Sequence, residues 1–533
     1  MGMMRRGNTY GTSKRTTCTN ILHPKEPRVL TFYNQKKKDP SYTLSQLVGL
    51  ILGPLLFLII VLWVRPDDLS FKGVYVLGIA VWIALWWITE AIPIPATSLL
   101  PLILLPLGHV MDSATVSAQY GNDIIYLFLG GFILAIAMER WDLHTRIDLN
   151  IIKNIGTSTG RILLGFMVAT AGLSMFVSNT AAVMIMIPIG IAIIKEAHDL
   201  KKDQSEDRAL SKFERALVLG IGYAGTIGGL GTLIGTPPLI ILKGQYAAHF
   251  GAELSFAKWM IVGIPTVFLL IVLAWLYFKY VAFRHDMKTL PGGRQVIETK
   301  LASLGKVKYE EKVVFLIFLL ASFLWISREF LLSKWQYTEL VADGTIAMFV
   351  AILLFLIPAK HQYKRILDWS VAKELPWGVL ILFGGGLALA KGIQESGLAT
   401  WLGKQLTLLN GVSPIIIVVV ITVFILFLTE ITSNTATATM ILPILATLSV
   451  AINVHPLLLM APAAMAANCA YMLPVGTPPN AIVFGTGKIQ IKEMALKGFV
   501  MNVISIVVII LVVYFVLPTV LGIDITQSIP TQK

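Results

Sequence analysis

Long apolar runs, separated by short charged segments, set the pattern of this chain. They fall at roughly 43–64, 73–90, 95–109, 122–140, 217–248, 257–283, 311–331, 343–358, 376–393, 458–485 and 494–518. A helix needs about 20 apolar residues to cross a bilayer, whereas a barrel strand alternates apolar and polar positions over about ten. Residues 500–519 do not alternate, so the runs predict an all-α polytopic membrane protein with about eleven transmembrane helices. Two further apolar stretches, 160–194 and 413–452, are too long for one untilted span, and each carries a polar break near its middle. Irregular backbone at membrane depth is tolerated only where protein or a cavity covers it. The two stretches therefore predict re-entrant helical hairpins with the polar breaks at their tips.

The breaks are near copies of each other: Ser178-Asn179-Thr180-Ala181 and Ser433-Asn434-Thr435-Ala436, with Pro188 and Pro443 each ten positions after the serine. An offset of 255 relates them, and it also carries Phe128-Leu129-Gly130-Gly131 onto Phe383-Gly384-Gly385-Gly386 and Ser174 onto Thr429. A second matched element follows each break, Gly235-Thr236-Pro237-Pro238 and Gly476-Thr477-Pro478-Pro479. The spacing from serine to glycine is 57 in the first half and 43 in the second, and the charged insert near 195–216 can supply the difference. So many coincidences in register indicate an internal repeat.

Composition agrees with a membrane setting. Apolar residues make up 56% and charged residues 14% of the 533, against about 25% charged in soluble domains. The net charge of +13 does not point to nucleic acid, because residues 1–40 alone hold nine Lys/Arg against two acids, a net +7. The remaining excess lies in loops: 195–216, 284–312 and 360–373 are basic, while Arg65-Pro66-Asp67-Asp68 is acidic on balance. By the positive-inside rule the N-terminus and the three basic loops are cytoplasmic and the C-terminus extracellular, in a cell-membrane, multi-pass protein. The first hairpin then enters from the cytoplasm and the second from outside, which makes the repeats inverted, a design of secondary transporters. The organisation expected is a basic cytoplasmic tail (1–40), a first half (41–283, with hairpin 160–194 and broken helix 217–248), a cytoplasmic linker (284–312), a second half (313–520, with hairpin 413–452 and broken helix 458–485) and an extracellular tail (521–533). Cys18 and Cys469 make no disulfide framework, and no secretory signal precedes the first run.

Each Gly-Thr-Pro-Pro breaks a helix, since glycine permits unusual backbone angles and proline removes a donor. Broken helices free carbonyls, which suit a hard cation such as Na⁺, and expose half-helix N-termini, which suit an anion. Asparagine and threonine serve either through amide and hydroxyl. A hairpin tip facing a broken helix thus makes a cradle for one cation with anion-binding groups on its rim, and two cradles make at least two sodium sites. Neither polar phrase contains Lys or Arg, so a dianion would borrow positive charge from the cations bound beside it. The blander reading of such small polar residues is close helix packing or a bond to backbone; duplication in register counts against it.

Other candidates are weaker. Gly229-Leu230-Gly231 lacks the spacing and the strand of a nucleotide loop. Glu90 and Glu430 sit in apolar sequence and read as proton or ion groups or, more plainly, as caps or salt-bridge members. His144 reads as interfacial, and Trp86, Trp87, Trp141 and Trp377 as an interfacial belt. Glu196-Ala197-His198 is no metalloprotease motif and no Gly-x-Ser-x-Gly elbow occurs, so an enzyme is disfavoured.

The paired phrases, together with Trp87-Ile88-Thr89-Glu90-Ala91-Ile92-Pro93 and Met472-Leu473-Pro474-Val475-Gly476-Thr477-Pro478-Pro479-Asn480, resemble the divalent anion/sodium symporter family (solute-carrier-13-like), and within it bacterial sodium-dependent dicarboxylate symporters of the staphylococcal type. The resemblance covers about residues 40–520. It implies a homodimer in which each protomer has a scaffold domain and an elevator-type transport domain. It implies a first sodium site from Ser174, Ser178, Asn179 and Gly235, and a second from Thr429, Thr432, Asn434, Gly476 and Pro478. Substrate carboxylates would meet Asn179, Thr180, Thr236, Asn434, Thr435 and Thr477. One departure is Leu239, which follows the first Pro-Pro where the family pattern has asparagine, as Asn480 does after the second. The function expected is sodium-coupled import of C4 dicarboxylates such as succinate, fumarate and malate. A sodium-independent exchanger and an anion channel remain as alternatives. For the basic tail, setting orientation is the plain reading and contact with anionic lipid the other.

Overall fold

The computed structural model describes residues 42–156, 158–200, 204–284, 287, 289–290, 293–330, 341–360, 365–406 and 411–524. The predicted basic tail and most of the predicted extracellular tail lie outside these residues. From Leu44 onward the chain forms one compact unit. Among the described residues there are two isolated bridges, Ser158–Thr289 and Pro358–Arg365, and no strand.

The first half runs α1 (Leu44–Trp63), α2 (Phe71–Thr89), the short α3 (Ile94–Thr97) and α4 (Leu100–Leu107), α5 (Ser113–Gln119), α6 (Asp123–Arg140) and the amphipathic α7 (Leu143–Ile155). A helical hairpin follows, α8 (Thr159–Ser174) and α9 (Asn179–Asp199). Then come α10 (Gln204–Gly228) and α11 (Pro237–Phe250), separated by an irregular break, and α12 (Phe256–Tyr277), which ends in a π-helical turn. The linker contains α13 (Gly293–Ser303). The second half comprises α14 (Tyr309–Phe330), α15 (Asp343–Leu356), α16 (Trp377–Glu395), α17 (Leu398–Leu406), a second hairpin of α18 (Pro414–Thr429) and α19 (Asn434–Ala451), the pair α20 (Pro456–Asn468) and α21 (Pro478–Gly485) across a second break, α22 (Ile491–Leu511) and α23 (Leu517–Leu521). Eight helices among the described residues are long and apolar enough to cross a membrane.

The offset of 255 holds helix by helix. It carries the starts of α7, α8 and α9 onto those of α17, α18 and α19, and the end of α8 at Ser174 onto the end of α18 at Thr429. Pro188 and Pro443 lie inside α9 and α19 at the same repeat position. The halves also interlock: α9 packs on α21, and α19 on α11, so each hairpin meets the broken helix of the other half as well as its own. Tyr223 of α10 donates to the Tyr471 carbonyl at 2.8 Å, across the halves.

One cluster of buried charge is paired. Lys243 on α11 and Asp343 at the start of α15 are each 2% exposed and bond directly, and Arg328 on α14 holds Asp343 at 2.9 Å and Glu253 at 2.8 Å. Together they fasten α11 to α14 and α15.

Several expectations fail, the first of them because apolarity does not tell lipid from protein interior. Trp86, Trp87 and Trp141 are buried rather than in a belt, donating to the Gly49 carbonyl, Ser98 Oγ and the Ile366 carbonyl. His144 is buried against the Met138 carbonyl at 2.9 Å. Helix α10 begins at Gln204 although its apolar run begins near 217, because a helix can extend past the apolar part of its sequence.

Candidate functional site

The tip of the first hairpin is a tight turn between Ser174 and Asn179. Ser178 is the N-cap of α9: its backbone is non-helical (φ −59°, ψ 143°), and its hydroxyl accepts from Ala181 N–H at 3.2 Å. That places Asn179 as the first residue of α9 with its side chain turned back toward α8 and the break after α10. Ser174, fully buried, presents Oγ at 2.6 Å from the Gly225 carbonyl and at 2.7 Å from Asn179 Oδ1. A hydroxyl has one proton, so with the amide oxygen inward one of those two short contacts carries no hydrogen bond, whereas a rotated amide would donate its nitrogen to Ser174 Oγ.

The second tip repeats this. Thr429, fully buried, presents Oγ1 at 2.6 Å from Asn434 Oδ1 and at 2.8 Å from the Ala467 carbonyl. Gly225 lies in α10 and Ala467 in α20, near the ends from which each helix breaks. Each site is thus a hydroxyl, an amide oxygen and a carbonyl from a helix that stops.

The breaks themselves match in torsion. Thr236 (φ −145°, ψ 141°) and Thr477 (φ −144°, ψ 151°) are both extended, as residues before proline prefer, and the two prolines after each fill the first turn of α11 and α21. Their hydroxyls differ. Thr477 accepts from Asn480 N–H at 3.4 Å, whereas Thr236 donates to Asn468 Oδ1 at 2.6 Å. Both threonines are buried, while Asn179, Thr180, Asn434 and Thr435 are partly exposed and so within reach of a ligand.

Glycines admit the close approach. A Cβ on Gly229 would lie 2.6 Å from Asn179 Oδ1, and one on Gly235 would lie 2.6 Å from the Gly229 carbonyl oxygen. In the second break a Cβ on Gly476 would lie 3.2 Å from Glu430 Oε2. Glu430 is buried, and its carboxylate accepts from the backbone N–H groups of Tyr471, Met472 and Leu473 and from Asn502 Nδ2 at 2.8–3.2 Å. It is therefore a cap for the unwound segment, the plainer of the two readings from sequence.

Not every expected ligand group joins these clusters. The Thr432 hydroxyl donates to the Leu428 carbonyl at 2.8 Å and pairs with Thr437 at 2.7 Å, and the Ser178 hydroxyl serves as a cap. Pro478 opens α21 at an exposed position. Leu239 is fully buried. Asn480, its counterpart, does not reach a hairpin tip in the bonds it makes. Its amide nitrogen ties the Ala470 and Leu473 carbonyls at 3.1 and 3.0 Å, while its buried Oδ1 has no hydrogen-bond partner among the described residues, so leucine at the first break lacks that brace. Sequence reasoning missed Gly225 and Ala467, which act through backbone, and Asn468, which is fully buried at the end of α20. The signal for Asn468 was available: a lone amide closing an otherwise apolar run just before the second break.

Comparison with known proteins agrees with this architecture. Residues 44–521 match the family model described as the sodium:sulfate symporter transmembrane region. The chain is 73% identical over 503 residues to the sodium-dependent dicarboxylate transporter SdcS of Staphylococcus saprophyticus, covering 94% of this chain and 97% of that protein. It is also 73% identical over 505 residues to SdcS of Staphylococcus aureus, with the same coverage. Among solved structures, MtrF of Neisseria gonorrhoeae, one of a class of antimetabolite efflux pumps, aligns with a TM-score of 0.52 at 8% identity, over 91% of this chain and 95% of that one, a likeness of fold alone. The chain belongs to the sodium:sulfate symporter family, and is a multi-pass membrane transporter rather than an enzyme.

Proposed function

We propose that the protein is a sodium-coupled symporter that imports C4 dicarboxylates, with succinate, fumarate and malate as the class. One observation carries the sodium reading. Asn179 presents its nitrogen to Asn468 Oδ1 at 3.2 Å and its oxygen to Ser174 Oγ and the carbonyls of Gly225 and Gly235. Without a cation, rotating that amide would let its nitrogen donate to Ser174 Oγ at 2.7 Å, Gly225 at 3.2 Å and Gly235 at 3.3 Å, at the cost of setting its oxygen against Asn468 Oδ1 at 3.2 Å, acceptor facing acceptor; a bound cation would favour the oxygen-inward orientation. Converging oxygens with too few protons are a poor hydrogen-bond network and a good cation cage. All four are hard and neutral, as Na⁺ prefers. The Thr429, Asn434 and Ala467 oxygens form the matching set for a second ion, with Gly235 and Gly476 at the corresponding breaks.

The substrate reading rests on the 73% identical relatives, named for sodium-dependent dicarboxylate transport, and on chemistry. A dianion bound between Asn179-Thr180 and Asn434-Thr435 would meet amides and hydroxyls that neutralise none of its charge. Glu430 adds a buried negative charge beside the second break. Both disfavour the anion until cations are in place, so Na⁺ binds first and the dianion after it. Thr236 and Thr477 would act on the substrate from behind, by holding the break.

Alternating access would follow an elevator mechanism in a homodimer, with the hairpins and broken helices moving against the remaining helices. The arms α8 and α18 have 16 residues each, about 24 Å of helix at 1.5 Å per residue and short of a full crossing, while α9 and α19, at 21 and 18 residues, are long enough to cross. The short arms support hairpins that enter and return, the first from the cytoplasm and the second from outside, with the N-terminus inside and the C-terminus outside. The test is uptake of radiolabelled succinate into proteoliposomes with and without an imposed Na⁺ gradient. Uphill, saturable uptake that needs Na⁺ and is lost in Asn179→Ala and Asn434→Ala supports the reading. Equal uptake with K⁺ in place of Na⁺ would establish an exchanger, and non-saturable downhill flux a channel.

A further inference from the structure

We propose that Asn468 is a positioning residue that aims the Asn179 amide oxygen at the first cation and couples the two sodium sites. The inference rests on the sodium-coupled reading above and extends it to how one site senses the other.

The orientation of the Asn468 amide is fixed by chemistry. Its Nδ2 donates to the Thr226 carbonyl at 2.6 Å, and a carbonyl can only accept. Its Oδ1 therefore faces the opposite way, where it accepts from Thr236 Oγ1 at 2.6 Å and from Asn179 Nδ2 at 3.2 Å. With its nitrogen held there, Asn179 has one way to point its oxygen: toward Ser174 and the Gly225 and Gly235 carbonyls. An amide free to turn would spend part of its time offering the cation its nitrogen end. Asn468 disfavours that alternative by setting its own Oδ1 against the turned amide's oxygen at 3.2 Å, and as a fully buried side chain it is itself held in place.

The coupling follows from where Asn468 sits in the chain. It belongs to the second half, yet its side chain serves the first site. The residue before it, Ala467, offers its carbonyl to the second site, where Thr429 lies at 2.8 Å. One peptide unit thus carries a ligand oxygen for one cation and the residue that orients a ligand for the other. A cation that draws on the Ala467 carbonyl fixes the 467–468 peptide, which fixes the Asn468 amide and prepares Asn179. By linkage the effect runs equally in reverse, so each ion strengthens binding of the other.

The experiment is the Na⁺ dependence of radiolabelled succinate uptake in proteoliposomes, for the unsubstituted protein, Asn468→Ala, Ser174→Ala, Thr429→Ala, and the last two combined. The unsubstituted protein should give a Hill coefficient for Na⁺ well above about one; in Asn468→Ala it should fall toward about one, while the Na⁺ needed for half-maximal uptake rises about tenfold. Ser174→Ala and Thr429→Ala should each raise that concentration, and their combined effect should differ from the product of the separate ones by about fivefold or more. This cycle keeps Asn468 in place and reads the coupling even where Asn468→Ala folds poorly. A purely structural role for Asn468 would lower protein yield and leave the Hill coefficient unchanged, which would overturn the proposal, as would single-substitution effects that simply multiply. If neither Ser174→Ala nor Thr429→Ala changes the Na⁺ dependence, the sodium sites themselves are misassigned and the coupling falls with them.

Discussion

Thr429 Oγ1 lies 2.6 Å from Asn434 Oδ1, and 255 residues earlier Ser174 stands to Asn179 at 2.7 Å in the same way. Each pair closes a hairpin tip, and each adds a carbonyl from a helix that breaks beside it. Thr429→Ser keeps the hydroxyl and should leave the Na⁺ dependence of uptake near normal. Thr429→Ala and Ser174→Ala remove an oxygen proposed as a Na⁺ ligand, and a loss of about 1–1.5 kcal/mol corresponds to about tenfold in the Na⁺ needed for half-maximal uptake. Na⁺ titration of succinate uptake checks both.

Gly229→Ala should disable the first site without unfolding the protein. The added Cβ would lie 2.6 Å from Asn179 Oδ1 and 3.1 Å from Thr236 Cβ, so the amide or the break must give way. Gly403→Ala, whose Cβ would meet its nearest neighbour at 3.8 Å, is the matched control. Uptake at saturating Na⁺ should fall at least about tenfold in the first and hold in the second, with detergent-solubilised yield alike for both.

Glu430→Gln should destabilise the second break. The carboxylate accepts from three backbone N–H groups and from Asn502, and the amide would turn a donor toward one or more of these donors. Hydrogen bonds to a charged group contribute about 1.5–3 kcal/mol, and a loss of that order should lower the thermal midpoint in detergent and abolish uptake. Retained stability with lost uptake would instead mark Glu430 as a transport group.

Asp343→Ala strips the closer partner from buried Lys243 and, among the described residues, leaves Lys243 (3.6 Å) and Arg328 (2.8 Å) to share Glu253, which is 46% exposed on its side chain. Breaking a buried pair from one side costs about 3–5 kcal/mol, so the single variant should aggregate or melt far below the parent. Removing both charges with Lys243→Met and Asp343→Ala should recover part of the loss. Thermal denaturation followed by gel-filtration fluorescence reads this directly.

Much of this was legible in the sequence, for reasons that can be named. Bilayer thickness dictates run length, so the runs that form α1, α2, α6, α12, α16 and α22 were readable, and a duplicated polar phrase stands out where polar groups are expensive. The relation of Ser174 to Thr429 needed only the offset. Asn468 could have been noticed as a lone amide closing an apolar run, but its partners could not, because they lie across the halves and repeat arithmetic compares the halves without showing where they touch. The carbonyls of Gly225 and Ala467 have no side-chain signature at all. Trp86, Trp87 and Trp141 show the same limit from the other side: composition marks them as suited to an interface, and only packing shows them buried and bonded to backbone. Helices α7 and α17 begin in register yet lie below the apolarity of a span, so a hydropathy reading passes over both.

In the proposed mechanism an uncharged cradle acquires its affinity for a dianion from the cations bound beside it. Equilibrium binding of radiolabelled succinate to the purified protein, in saturating Na⁺ and with Na⁺ replaced by K⁺, tests it most directly. Saturable binding in Na⁺ that disappears in K⁺ is the predicted result. Succinate binding of equal affinity in both salts would contradict it.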